Sequence, residues 1–225
     1  MASHSIHKLV EHQGRRWAQA THPVGAPRYR PCVVLSRLPY SGAHDVGTRV
    51  ATRLDYGFFA REIVDEIAKE EGVQRDLVAG LDEHVSNAIQ RHIIQGFQQR
   101  RFSETEYAKA VTRVVSTLAH RGAAVILGRG AACIVPPEQA LRVLVVASAE
   151  WRRARLAEIR NVSVEEAATR LAVEDKERAE FYRRTFHFQQ DEPTNYDLVV
   201  NTGTLGLGPA ASIIVETLHR RFHEA

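Results

Sequence analysis

The hydrophobic positions of this chain fall into short continuous runs separated by polar segments. Each run is a few residues long and rich in β-branched or aromatic residues, which is typical of strands buried on both faces of a parallel sheet. Five strands are predicted, at Cys32–Ser36, Phe58–Phe59, Ala123–Leu127, Leu141–Val146 and Leu198–Val200. Such a set of strands requires helices on both faces of the sheet.

The segments between the runs repeat their apolar positions every three or four residues, which is the period of a helix. Helices are predicted over 45–54, 63–70, within 76–120, over 149–186 and over 209–219. The charged segment 149–186 contains a capping box, Ser163 followed three residues later by Glu166, which marks a helix start. Strands that alternate with helices predict an α/β fold with a doubly wound parallel sheet.

Residues 1–30 form a separate section of the chain. Apolar residues recur at helical spacing over 5–20, and the Pro- and Gly-containing stretch 21–27 has the composition of a linker. The predicted organisation is therefore an N-terminal helix and linker followed by one domain over 31–225. The helix either packs on this domain or makes a homo-oligomer contact.

Composition narrows the class of protein. Of 225 residues, 44% are apolar and 25% charged, which is ordinary for a globular domain and excludes a wholly disordered chain. A net charge of +3 is too small to indicate nucleic acid, and no nucleic-acid partner is expected. No run approaches the ~20 apolar residues of a membrane span. Without a signal-type N-terminus, and with two cysteines in unrelated contexts, the expected location is the cytoplasm.

The first strand is followed by a turn and a helix, over Ser36–Gly47. Backbone N–H groups at such a turn, together with the helix dipole, favour a bound phosphate. In the pattern G-x-x-x-x-G-K-[ST], Gly42 matches the last glycine, Ala43 stands in place of the lysine and His44 in place of the hydroxyl residue. A plain strand–helix turn is therefore the alternative at this position.

A second phosphate-binding candidate follows the third predicted strand, where the chain reads Gly128-Arg129-Gly130. Ligands of open α/β sheets bind beyond the carboxyl ends of the strands, and an arginine there can make a bidentate phosphate contact. The alternative is a surface arginine in a turn.

Arginines also cluster late in the chain. Arg152, Arg153 and Arg155 lie on one predicted helical stretch, and Arg178 and Arg184 follow at a spacing that predicts a similar helical face. Such side chains can close over a triphosphate and stabilise the charge of a transferring phosphoryl group. The alternative is a solvated helix with ion pairs between residues four apart.

Together these stretches resemble the cytidylate kinase-like family over nearly the whole chain. The most specific features are the Gly-Arg-Gly and Tyr-Asp-Leu-Val-Val-Asn-Thr motifs. The matching segments are Ser36-Arg37, Tyr40–Ala43, Val46-Gly47, Phe58–Glu62, Val125–Ala131, Val135–Ala147, Asp175–Arg184 and Tyr196–Thr202.

The resemblance implies a P-loop nucleoside-monophosphate-kinase fold with a five-stranded parallel sheet, a monophosphate-binding region at about 57–115 and a lid at about 150–190. It implies transfer of the γ-phosphoryl group of ATP to CMP or dCMP, with Mg²⁺. The expected acceptor-phosphate ligands are Arg61 and Arg129. The expected lid residues of catalysis are Arg178, Arg184 and Asp175, the last an acid of undefined role. The ATP-binding residues are expected to be Arg37, Ser41, Gly42, Ala43, His44, Arg152 and Arg155.

Departures from the family pattern leave a second function open. Tyr40 replaces a turn glycine, Ala60 replaces an acid, and Ala43 lacks the charge of the P-loop lysine, which Arg37 or the lid arginines would have to supply. The alternative function is a catalytically weak or inactive nucleotide-binding regulatory protein on the same fold. His219 and His223 have the spacing of metal ligands, but no third ligand is apparent, and no protein-bound metal centre is expected.

Overall fold

The computed structural model describes residues 30–69, 83–99, 103 and 105–223, and a sheet of five parallel strands runs through them. The strands are β1 (Cys32–Arg37), β2 (Gly57–Phe59), β3 (Ala124–Leu127), β4 (Ala140–Val146) and β5 (Leu198–Asn201). Their order across the sheet is β2-β3-β1-β4-β5, and each neighbouring pair is parallel. The five predicted strands and their parallel arrangement are confirmed.

Helices cover both faces of this sheet and complete a three-layer α/β fold. The side chains of each strand alternate between two cores: Val34 and Ile126 pack with the fourth helix, while Leu35 and Leu127 pack with the first and last helices. The helices are α1 (Ala43–Leu54), α2 (Arg61–Lys69), α3 (Glu83–Gln98), α4 (Glu106–Arg121), α5 (Ala131–Ile134), α6 (Ala149–Arg160), α7 (Val164–Phe186), α8 (Thr202–Leu205) and α9 (Leu207–His223).

The region 149–186, predicted as one helical segment, forms two helices. Asn161 ends α6 in the left-handed conformation, with φ 51°, and Ser163 then begins α7. The Ser163 hydroxyl accepts a hydrogen bond from the N–H of Glu166 at 3.2 Å, as the capping sequence predicts. Leu156, Ala167 and Leu171 form a small core between the two helices, so α6 and α7 pack as a pair.

Some predictions fall outside the described residues. These are the N-terminal helix, the linker and the self-association surface within 1–29, together with the helical stretch 76–82. Among the helices over 30–69, 83–99 and 105–223, none combines the length and apolarity of a membrane span. Cys32 and Cys133 are both free thiols, and burial raises the pKa of each.

The topology fixes where a ligand can enter. The chain winds from β1 to β2 and β3 on one side, and then crosses to β4 and β5 on the other side. The winding direction therefore reverses beside β1, and a crevice opens at the carboxyl ends of the strands at such a reversal. Arg37 ends β1 and Gly128 follows β3 at this edge.

Candidate functional site

A cleft of about 450 Å³ opens at the carboxyl ends of β1 and β3, beneath helix α7. Five arginines and two glutamates line it, so its formal charge is strongly positive. The lining residues are Arg37, Arg61, Gly128, Arg129, Arg160, Glu174, Glu177, Arg178, Phe181 and Tyr182. A cavity with this charge is suited to an anionic ligand.

Arg37 reaches the cleft from the end of β1. Burial, and then the nearby charge of Arg178, lower the pKa of Arg37 to about 10. Its Nη1 atom is buried without a hydrogen-bond partner. Gly128 lies against it: a Cβ atom there would be 2.9 Å from Nη1, and the backbone has φ +83°. The glycine after β3 thus provides the space that the Arg37 guanidinium occupies.

Arg178 approaches the same cavity from α7. Burial also lowers the pKa of this side chain, and its Nε atom is buried with no hydrogen-bond partner. Two guanidinium groups therefore meet in the cleft, each with a donor atom that the protein leaves unpaired. A buried donor without an acceptor costs free energy, and a bound oxyanion would remove that cost.

Arg129 is held by a third set of contacts. It lies between Gly128 and Gly130 with φ 51°, a left-handed conformation that turns the chain sharply after β3. Its Nη2 atom is ion-paired with Oδ2 of Asp65, and the guanidinium lies 5.4 Å from the ring centre of Phe181. The Arg129 Nε atom has no hydrogen-bond partner. Arg129 therefore has a fixed position and a buried donor atom available for a ligand.

Asp65 connects several of these groups. The Tyr107 hydroxyl donates to its Oδ1 at 3.0 Å, and the Arg61 Nε atom lies 3.9 Å from its Oδ2. Burial raises the pKa of Tyr107, so its hydroxyl remains a donor. Sequence reasoning missed Asp65 and Tyr107; the only local signal was the i,i+4 spacing of Arg61 and Asp65 on α2.

The loop between β1 and α1, residues 38–42, is the predicted phosphate loop. Gly42 adopts φ 76° at the helix start, and a Cβ atom there would lie 2.5 Å from Cδ2 of Leu207, so this turn requires glycine. No side chain caps the first turn of α1, which leaves its N–H groups for an anion. The Ser41 hydroxyl is buried without a partner, and its carbonyl accepts from the Thr202 hydroxyl at 2.6 Å.

Side-chain contacts hold α6 and α7, which form the predicted lid, against this loop. Arg152 donates to both carboxylate oxygens of Asp175, with Nη1–Oδ1 at 2.8 Å and Nη2–Oδ2 at 3.0 Å, and its Nη1 lies 3.4 Å from the Pro39 carbonyl oxygen. The Tyr40 hydroxyl donates to Oε1 of Glu174 at 2.8 Å, with the Tyr40 backbone in the left-handed region at φ 60°. Helices α6 and α7 are thus docked on this loop.

Apart from the residues of the loop, the structure separates the predicted site residues into two groups, and Arg184 belongs to neither. Arg37, Arg61, Arg129 and Arg178 come together in the cleft. Arg152, Asp175 and Arg155 instead form ion pairs between helices. Arg152 pairs with Asp175, and Arg155 pairs with Asp45, which was not a predicted site residue. These pairs explain lid docking without any ligand.

Arg184 does not reach the cleft. Its side chain is 80% exposed and lies 3.5 Å from Glu180 on the same helix. The prediction of a face shared with Arg178 was wrong, because six residues turn a helix by about 600°, which leaves the two side chains about 120° apart. Arg160, at the end of α6, lines the cleft instead and was not predicted.

The uncapped helix start and the arginine cleft suit the phosphates of a nucleotide, but residues 43 and 44 offer no Mg²⁺ ligand of the P-loop type. Ala43 is buried, and His44 is exposed with its ring edge-on to Phe58 at 5.2 Å. Neither offers the hydroxyl with which a P-loop binds Mg²⁺. Within the described part of the chain, no three His, Cys, Asp or Glu side chains cluster as a metal site. The His223 side chain lies outside the described residues.

Comparisons with known proteins match this chain over different lengths. The cytidylate kinase-like family matches residues 32–204. A segment of 99 residues is 30% identical to the uronate isomerase of Corynebacterium glutamicum; it covers 44% of this chain and only 19% of that protein.

Among solved structures, an uncharacterized protein from Eubacterium ventriosum superposes with a TM-score of 0.57 at 16% identity, covering 84% of this chain and 98% of that one. Shikimate kinase from Acinetobacter baumannii, in complex with shikimate, gives 0.46 at 18% identity, with 85% and 94% covered. Shikimate kinase from Bacteroides thetaiotaomicron gives 0.44 at 14% identity, with 85% and 97% covered.

Proposed function

The chain belongs to the cytidylate kinase-like family, and we propose on that premise that it transfers the γ-phosphoryl group of ATP to CMP, dCMP or a related small acceptor. The observation that carries the proposal is the arginine cleft at the carboxyl ends of β1 and β3, in which Arg37, Arg129 and Arg178 each present a buried donor atom without a partner. Such a cleft would hold the phosphoryl group that the reaction transfers.

The two reactants would bind at neighbouring sites. The uncapped start of α1, with Ser41 and Gly42 before it, would hold ATP phosphates through backbone N–H groups. Arg61 and Arg129, both beside Asp65, would hold the acceptor phosphate on the other side of the cleft. The two anions are then brought together by the fold, which lowers the entropic part of the barrier.

The reaction asks little covalent chemistry of the protein. An oxygen of the acceptor phosphate forms a bond to the γ-phosphorus as the bond to the β,γ-bridging oxygen breaks, giving ADP and a phosphorylated acceptor. Negative charge on the transferring group is stabilised by guanidinium groups, of which Arg178 on the lid is the best placed for the γ-phosphoryl. Mg²⁺, when bound to ATP, would neutralise part of the phosphate charge.

A nucleotide-binding protein without turnover is the second candidate. It is favoured by Ala43, which removes the usual cation from the loop, and by the closed lid, in which Tyr40–Glu174 and Arg152–Asp175 contacts are already formed. Such a protein would bind ATP or a monophosphate and release no ADP.

The test is ADP release from ATP and Mg²⁺ across a panel of nucleoside monophosphates, with Arg178→Met and Arg184→Met side by side. Both arginines lie on α7, but only Arg178 lines the cleft. We expect release that depends on CMP or dCMP, a loss of about 10²-fold or more in Arg178→Met, and near-normal rates in Arg184→Met. Folded protein that releases no ADP with any monophosphate would refute the kinase proposal and support the second candidate.

A further inference from the structure

We propose that Arg37 supplies, from the start of the phosphate loop, the positive charge that a P-loop lysine supplies from its end, and that Arg37 and Arg178 together form a site for one phosphoryl group. The identity of that group as the γ-phosphoryl of ATP rests on the proposed function. The anion site itself rests on the geometry of the free protein.

The sequence contains two departures that offset each other. In the six-residue window that ends at Gly42, the first position is Arg37, where the P-loop pattern has its first glycine. The position after Gly42 is Ala43, where the pattern has its lysine. Relative to the pattern, one cation has therefore moved from the position after Gly42 to the first position of the window, and the net charge over these seven positions is the same.

The structure explains why position 43 does not carry the charge. Ala43 is 2% exposed and packs in the apolar core that α1 and α9 form on the sheet. The loop turns back on itself through a hydrogen bond from the Ser41 N–H to the Leu38 carbonyl, 3.2 Å long. Arg37 lies at the near end of that turn, on the sheet edge, where Gly128 leaves room for its guanidinium.

Arg37 and Arg178 differ from the other arginines of this region because neither has a carboxylate partner. Arg61 and Arg129 share Asp65, and Arg160 lies near Tyr40 and Glu174. Arg152 is paired with Asp175 and Arg155 with Asp45. In the described part of the chain no carboxylate is within ion-pair distance of Arg37 or Arg178. Only weaker electrostatic contributions come from acids, from Glu62 at Arg37 and from Glu174 at Arg178.

Two buried guanidinium groups without counter-ions repel each other, and the lowered pKa of Arg37 reflects this together with its burial. A tetrahedral dianion between them would supply acceptors to the unpaired Arg37 Nη1 and Arg178 Nε atoms and would cancel the repulsion. The ligand class that this arrangement recognises is therefore a phosphoryl group, free or at the end of a polyphosphate.

The experiment measures anion binding and stability on the same variants, without turnover. Inorganic pyrophosphate and ATP are titrated calorimetrically into wild type, Arg37→Met, Arg37→Lys and the control Arg184→Met, and Tm is measured without ligand. We expect Arg37→Met to weaken both ligands about 10- to 100-fold, while its ligand-free Tm stays equal to that of wild type or rises, because an unpaired buried charge is gone. Arg37→Lys should keep most of the affinity, and Arg184→Met should match wild type.

Arg37→Met protein that is unfolded or clearly less stable would overturn the proposal, because Arg37 would then hold the fold together. Unchanged affinity in Arg37→Met, or wild type that binds neither pyrophosphate nor ATP, would overturn it too. Failure of the proposed kinase reaction is a separate result: a wild type that releases no ADP, yet loses anion affinity in Arg37→Met, leaves this site standing.

Discussion

The ion pair between Arg152 and Asp175 is predicted to stabilise the lid rather than to take part in phosphoryl transfer. Arg152 lies on α6 with 7% of its side chain exposed, and Asp175 lies on α7 with 35% exposed. The two groups make a bidentate contact, and Arg152 also reaches the Pro39 carbonyl of the phosphate loop. The perturbation is Asp175→Asn, which removes the charge and keeps the shape of the side chain.

The expected cost follows from this geometry. Unit charges about 4 Å apart at an effective dielectric constant near 20 attract by about 4 kcal/mol. Water reaches Asp175 at about a third of its surface, so we discount this and expect a loss of about 2 kcal/mol in the free energy of unfolding. For a domain of this size the loss lowers Tm by roughly 4–8 °C. The double variant Arg152→Met/Asp175→Leu should recover part of it, because no buried arginine is then left without its partner.

The assay is urea denaturation of each variant, with ADP release measured in parallel. Glu166→Gln is the matched control, because it breaks an i,i+4 pair with Arg170 whose two side chains are 48% and 49% exposed; it should cost about 0.5 kcal/mol or less. An Asp175→Asn variant as stable as wild type, with activity lost, would contradict this reasoning and return Asp175 to the catalytic role first expected of it.

Two further predictions concern an ion pair beside β5 and the glycine turn after β3. Burial alone would raise the pKa of Asp197, but hydrogen bonds from the Arg142 side chain and N–H lower it overall; its stabilisation is therefore present above about pH 4 and lost as pH falls through the folded pKa. Asp197→Asn should be less stable at neutral pH and lose less on acidification in pH-dependent urea melts; equal acid sensitivity would refute this. Gly130→Ala should cost about 2–4 kcal/mol, because φ is +69° and the new Cβ would lie 2.5 Å from the Phe186 ring; Gly208→Ala, with open space around it, should be near neutral in the same melts, and similar losses in both would refute the steric account.

The sheet could be predicted because each of its strands is marked by a short apolar run within its own sequence. Each strand is a run such as Val33–Leu35, apolar on both faces, and that pattern is typical of strands covered by helices on both sides. The Gly-Arg-Gly turn was equally readable, since it directly follows such a run and strand ends carry the ligands in this class of fold. The end of α6 at Asn161 leaves no gap in helical periodicity, so the segment 149–186 was predicted as one helix although the capping box at Ser163 marks a new helix start within it.

The rest of the site could not be predicted, because its residues are brought together by packing between distant elements. Asp65 and Tyr107 meet Arg129 across α2, α4 and the end of β3, with 42 and 64 residues separating the bonded pairs. Nothing in the sequence around Asp175 indicates that its carboxylate accepts hydrogen bonds from Arg152. Arg178 and Arg184 are the exception. Their six-residue spacing on one helix already implies that the two side chains point in different directions, so that only one of them can face the cleft.

The two candidate functions differ in what they ask of the Arg37 and Arg178 pair. Burying two like charges without counter-ions destabilises the free protein, and apolar side chains of similar size would serve the fold better. The cost is offset in either function once an anion binds, so affinity alone does not separate them. A kinase must also hold the phosphoryl group more strongly while it transfers than before. In Arg178→Met that requirement predicts a fall in kcat in addition to the rise in KM that follows from weaker binding, whereas loss of ground-state binding alone would raise KM and leave kcat unchanged.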